Sequence, residues 1–235
     1  MDTGTKDTPI VFDPENDLRN QQKEQAAALI NPNMRTFYTT YVSVAKQITG
    51  YYCGPASAYM VIKAWDGNVP STTRSLAFFQ GCPGNCPYPN VPHTCYQSYT
   101  SPQITLVDEM NMGYGGADFI MLKSALNNHI GTNYYSYKSI PGTTAGLNTL
   151  KSYIASTLSG DYPLIAWVKA NQLDRYSDTT FQGHYVCVYS YDSSTGLVGI
   201  ADPHYMSNYG GKYTEDVSTL HSAMYKSDGS ANLLW

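Results

Sequence analysis

A chain of 235 residues is long enough to bury a real core as one large domain or two small ones, so size imposes no need for metals or disulfides. Only 14% of the residues are charged, against about 25% in an average soluble domain, yet a hydrophobic share of 42% excludes a disordered chain. With 14 basic and 18 acidic side chains and a net charge of −4 there is no dense basic surface for nucleic acid, and apolar runs such as Leu164 to Val168 fall far short of the roughly 18 residues of a membrane span.

The first thirty residues contain no basic segment followed by an apolar one, so no secretory signal is read there. A surface of Tyr, Ser, Thr, Asn and Gly with few Lys and Glu nevertheless points to a secreted or cell-surface setting. In chain order, Asp13, Pro14 and Glu15 make a helix-start signal, and the helix is expected to run to about Ile30 with Leu18, Ala26, Leu29 and Ile30 as its apolar side. Residues 1–34 read as a docked N-terminal arm or, alternatively, an inhibitory pro-segment, ahead of one domain over 35–235. Arg35 to Val44 is rich in β-branched and aromatic residues and predicts a strand. Ser57, Met60, Val61, Ala64 and Trp65 recur at helical spacing, which predicts a buried helix beginning at Cys53. Gln80 to Tyr99 is Pro-rich, irregular and carries three of the five cysteines. Helices follow at Ile104 to Met112, Ala117 to Asn128 and Thr144 to Leu158, then short strands at Pro163 to Lys169, Tyr185 to Tyr191 and Leu197 to Ala201. Helices followed by a sheet give an α+β class.

Cys53 stands at the start of its helix, where free N–H groups and the positive end of the dipole would stabilise a thiolate, and Gly54 leaves the sulfur accessible. A structural, buried Cys is the plain alternative. A nucleophilic thiol needs a proton carrier, and His184 opens a strand in GHYVCVYSYD, where the backbone gives it a fixed orientation. If Tyr191 faces Leu197 across the Asp192 to Gly196 turn, Asp202 lies opposite Val186 and on the face of His184, placed to orient the imidazole. A one-residue slip would turn Asp202 to the other face. Gln47 can offer an amide N–H to an oxyanion beside the backbone N–H of Cys53.

The residues Gln47, C-G-P-A-S at 53–57, G-H-Y-V at 183–186 and A-D-P at 201–203 resemble the C39-like family of the papain-like cysteine peptidase superfamily. The stretch LVDEMNMGYGGADFIMLKSALNNHIG is similar to that family's helical segment between Cys and His, and the likeness covers about residues 36–206. The resemblance implies a papain-like fold with the Cys helix packed on a C-terminal antiparallel sheet. It implies Cys53 as nucleophile, His184 as general base and acid, Asp202 as the residue orienting His184, and Gln47 as oxyanion donor. The expected activity is hydrolysis of peptide bonds through an acyl-enzyme, without a cofactor, on a peptide or protein substrate, with cell-wall peptide one candidate. Its rivals are a peptidoglycan or isopeptide amidase or acyl transferase using the same triad, and a non-catalytic cell-surface binding module.

Cys82, Cys86, His93 and Cys95 in the insert at about 80–99 could hold zinc, but a disulfide is the simpler device in an oxidising compartment, with the pairing among Cys82, Cys86, Cys95 and Cys187 open. Cys187, inside a strand, is alternatively a buried free thiol. His204 is read as a cleft-rim residue, His129 as a dipole partner at a helix end, and His93 and His221 as exposed loop residues. Asp108 and Glu109 diverge on a helix and cannot act as a pair.

Overall fold

The computed structural model describes residues 13–30, 37–78, 95–113 and 116–235. Helix α1 (Pro14–Ala28) starts where Asp13 caps the N–H of Asn16. Strand β1 (Phe37–Thr39) ends well before the expected Val44, Arg35 and Thr36 lie outside the described residues, and the chain beyond the strand runs without strand pairing to Gln47. Helix α2 (Cys53–Ala64) is followed by a hairpin of β2 (Thr72–Phe78) and β3 (Cys95–Ser101) that the irregular composition concealed. Next come α3 (Pro102–Glu109), α4 (Phe119–Ile130), the short β4 (Tyr137–Lys138) and α5 (Thr144–Ser159). Strand β5 (Leu164–Lys169) leads through two 3₁₀ turns, Ala170–Gln172 and Asp174–Tyr176, into β6 (Gly183–Asp192), β7 (Leu197–Asp202) and β8 (Gly211–Asp216). Helix α6 (Val217–Met224) and β9 (Leu233–Leu234) complete the described elements. Among the described residues no helix is long and apolar enough to cross a membrane.

The main sheet is antiparallel in the order β4-β9-β5-β6-β7-β8, with β1 paired to the far end of β6, so the α+β class holds. Alternation along β6 sends Tyr185 and Cys187 to the side of α2 and Val186 and Val188 to the side of α5 and α6, giving one apolar core on each face. At the β6–β7 turn, Asp192 rather than Tyr191 faces Leu197, one residue off the expected register. Beyond it the pairing jumps from Ser190↔Gly199 to Val188↔Ile200, leaving Tyr189 out of the β6–β7 ladder as a β-bulge. A Cβ on Gly199 would come within 2.1 Å of the Ser190 hydroxyl and 2.9 Å of the Tyr189 ring, so the bulge requires glycine there. Past the bulge Cys187 faces Ala201, the register originally expected.

Helix α1 docks through asparagines rather than its apolar side. Leu18 and Leu29 are 57% and 88% exposed, while Asn16 and Asn20 are buried. The Asn16 amide accepts from the N–H of Tyr137 at 2.8 Å and donates to its carbonyl at 3.0 Å, doing for the β4 edge what a further strand would do. Asn20 donates to the same carbonyl and accepts from the Ser136 hydroxyl and the Trp235 indole N–H.

Candidate active site

Helix α2 begins at Cys53 with no side-chain cap on its first turn, so its leading N–H groups are not claimed by a capping side chain. Gly54 is required by packing, since a Cβ there would lie 2.9 Å from the Ala117 side chain. Two contacts lace the helix to β6: the Ser57 hydroxyl donates to the Tyr185 carbonyl at 3.2 Å, and the Cys187 thiol donates to the Ser57 carbonyl at 3.4 Å. They draw the helix start toward the beginning of β6, where His184 stands.

His184 and Asp202 are both buried, and Nε2 of the imidazole lies 2.8 Å from Oδ1 of the carboxylate. The Cys53 side chain lies near enough to His184 to favour the charged imidazole. With Nε2 held by Asp202, Nδ1 is the ring nitrogen left to serve the thiol. Burial disfavours the imidazolium, but the Asp202 charge, its hydrogen bond and the contact with Cys53 outweigh burial and raise the His184 pKa above the ordinary histidine range.

Burial alone would make Asp202 hold its proton, yet its pKa is lowered, because His184 and further donors stabilise the anion. Oδ1 accepts from His184 and from the backbone N–H of His204 at 2.8 Å. Oδ2 accepts from the Tyr176 hydroxyl at 2.9 Å and the Tyr213 hydroxyl at 3.2 Å. Nothing local in the sequence marks Tyr176 or Tyr213 among 22 tyrosines. The signal that exists is alternation: Tyr213 faces Ile200 across the β7–β8 ladder, on the side of Asp202.

Gln47 is buried and tied to the acid strand, its backbone N–H donating to the Pro203 carbonyl at 2.7 Å. Its side-chain Nε2 donates one hydrogen to the Thr49 carbonyl at 2.7 Å, leaving the second for another acceptor, and its buried Oε1 has no partner among the described residues. Gln103, on α3, grips the backbone on both sides of Gln47: it accepts from the Ile48 N–H at 3.2 Å and donates to the Lys46 carbonyl at 2.7 Å. The sequence offered no sign of this clamp, which joins positions 55 and 57 residues apart.

Several expectations change. His204 is not a rim residue but 2% exposed, its ring 6.0 Å from that of His184, and burial with the His184 charge lowers its pKa to about 4. His221 is buried on α6 and bonded to the Pro141 carbonyl, not exposed in a loop. His129 lies in the last turn of α4 and bonds Glu109 at 2.7 Å, while Asp108 pairs with Arg74, so the two adjacent acids do diverge. Cys187 is a buried free thiol, which removes it from the disulfide pairings. Cys82, Cys86 and His93 lie outside the described residues. Among the described residues no group of three His, Cys, Asp or Glu side chains could hold a metal ion.

No curated protein matches the chain. A sequence model of the Peptidase C39-like family matches residues 39–232, a span that contains Gln47, Cys53, His184 and Asp202.

Proposed function

The chain belongs to the Peptidase C39-like family, and from that premise we propose that it hydrolyses peptide bonds as a cysteine peptidase with Cys53, His184 and Asp202 as its triad. The observation that carries this reading is the buried imidazole bonded to an ionised carboxylate with a thiol close by. The Cys53 thiol passes its proton to His184 Nδ1, Sγ attacks the peptide carbonyl carbon, and the oxyanion is met by the Cys53 N–H and the free hydrogen of Gln47 Nε2. The His184 imidazolium gives its Nδ1 proton to the departing amine, leaving a thioester on Cys53. The neutral imidazole then takes a proton from water, hydroxide attacks the thioester, and the acid product leaves as the thiol regains its proton. Asp202 holds Nε2–H throughout and so fixes which nitrogen faces the sulfur.

The test is a digest of a denatured protein and, in parallel, of purified peptidoglycan, by wild type and by Cys53→Ala. New peptide N-termini from the denatured protein, produced by wild type alone, are expected. Release confined to peptidoglycan would replace the peptidase reading with the amidase one, and equal release by Cys53→Ala would overturn both.

A further inference from the structure

The Asp202 carboxylate has room for about four hydrogen-bond donors, and in this fold it receives four from four segments. Both donors on Oδ2 are tyrosine hydroxyls, and the Tyr176 oxygen lies 3.5 Å from His184 Nε2. We propose that Tyr176 and Tyr213 are positioning residues for the peptide hydrolysis proposed above, holding Asp202 ionised and turned so that Oδ1 meets His184 Nε2.

The two hydroxyls are themselves braced. The Tyr176 ring stacks on Tyr209 with centroids 4.9 Å apart and planes 13° from parallel. Arg175, the neighbour of Tyr176, donates to the carbonyls of Tyr209, Ser207 and Gly210 in the turn that follows Asp202. The same guanidinium lies 4.8 Å over the Tyr213 ring. One arginine thus ties together the 3₁₀ turn carrying Tyr176, the turn after Asp202 and the strand carrying Tyr213. On β8, Glu215 accepts from the Asp174 N–H at 3.1 Å and closes the frame from the other side.

The carboxyl torsion of an Asp is broad, so Oδ1 bonds alone would let the plane swing. Two donors on Oδ2 remove that freedom. They also stabilise the anion in a site where burial favours the acid form. Burial and the Asp202 charge push both tyrosine pKa values up, so both stay protonated donors over the working range of pH. The other ionisable groups beside Asp202 are the His184 imidazole and the His204 ring that follows it; its charge also reaches the Cys187 thiol across the sheet, and Cys53 acts on Tyr176. Arg175 and Glu215 act on Asp202 through Tyr213.

The test uses Tyr176→Phe, Tyr213→Phe and the double variant, which keep the rings and delete only the hydroxyls. Each is made in the wild type and in Cys53→Ala. In the Cys53→Ala background, the Asp202 carboxyl is titrated by carbon NMR, its signal identified by its loss in Asp202→Asn. We expect the midpoint to rise by about one pH unit for each hydroxyl removed, as loss of a bond to a charged group requires. In the wild-type background we expect kcat to fall about tenfold in the double variant with KM unchanged. A midpoint within about 0.2 of the parent in both single variants, with near-ultraviolet circular dichroism intact, would overturn the proposal. So would normal kcat in the double variant. The carboxyl titration needs no turnover, so a wild type that cuts no peptide overturns the proposed function while the titration still decides whether the hydroxyls hold the acid.

Discussion

His184 and Asp202 share a face of the sheet because Tyr189 is left out of the β6–β7 ladder. Run without interruption from Asp192↔Leu197, the pairing would set Asp202 opposite Cys187 and turn it toward α2. Deleting Tyr189 keeps every β6–β7 pair on both sides and loses the bond its carbonyl accepts from the Thr40 N–H, so activity should stay within about tenfold of wild type. Inserting one alanine between Ala201 and Asp202 rotates the carboxylate to the other face. That variant should fall about a hundredfold or more, to the level of Asp202→Ala. Peptidase assays on the two length variants check the pair.

Asp202→Asn keeps the shape and removes the charge. The raised pKa of His184 depends mainly on that charge, and without it only the contact with Cys53 opposes the lowering by burial. The imidazolium is therefore lost at lower pH, and the alkaline limb of kcat/KM should move down by more than one unit, with the maximal rate reduced about tenfold to a hundredfold. A pH–rate profile from pH 4 to 10 reads both changes.

Gln47→Ala should cost about a hundredfold in kcat with little change in KM, the signature of a donor used only as the oxyanion forms. Gln103→Leu deletes both grips on the Gln47 backbone without touching the reacting atoms. Its loss should be smaller, about tenfold, and should nearly vanish in a Gln47→Ala background. A double-mutant cycle on kcat measures that coupling.

His204 makes the fold sensitive to acid. Its folded pKa of about 4 lies below the ordinary value of 6.5, so between those limits the unfolded chain takes up a proton that the folded chain refuses. Stability supplied by this group is present above about pH 6.5 and is lost as pH falls toward 4. His204→Asn keeps an acceptor for the Met206 N–H and cannot titrate. The variant should lose about 2 kcal/mol less than wild type on going from pH 6.5 to 4, measured by urea unfolding.

Asn20→Leu should destabilise the fold by about 2 to 4 kcal/mol. It strands the Trp235 indole N–H, the Ser136 hydroxyl and a share of the Tyr137 carbonyl in a buried place. Leu18→Ala, on the exposed side of the same helix, should change stability by less than about 0.5 kcal/mol. Urea denaturation of the two variants compares them directly.

What could be read in advance was what depends on local spacing. The Cys53 helix declared itself by its apolar period, and the His184 strand by β-branched and aromatic alternation between turns. Asp202 was legible as well, although through a turn register that was one residue off and that the Tyr189 bulge then offset. The Tyr176 and Tyr213 anchors and the Gln103 clamp were not legible, because each joins segments through side chains whose neighbours in sequence carry no pattern. The asparagines of α1 look like solvent-facing residues until an unpaired strand edge lies beside them. The β2–β3 hairpin escaped notice because cross-strand hydroxyl contacts such as Thr73 with Thr100 and Ser75 with Ser98 line it where apolar alternation would otherwise announce a strand.

The bond between Asn20 and Trp235 spans 215 positions and sets an order of assembly. Every hydrogen-bond partner of the α1 asparagine side chains comes from β4, its flank or the residue after β9, all of them downstream. Strand β4 is itself held in the sheet through β9. The arm therefore has no finished surface to settle on until the sheet has closed, and a helix of its polarity gains little by forming early. In refolding, the docking of α1 should be the last phase, slowed by closing a loop of 215 positions.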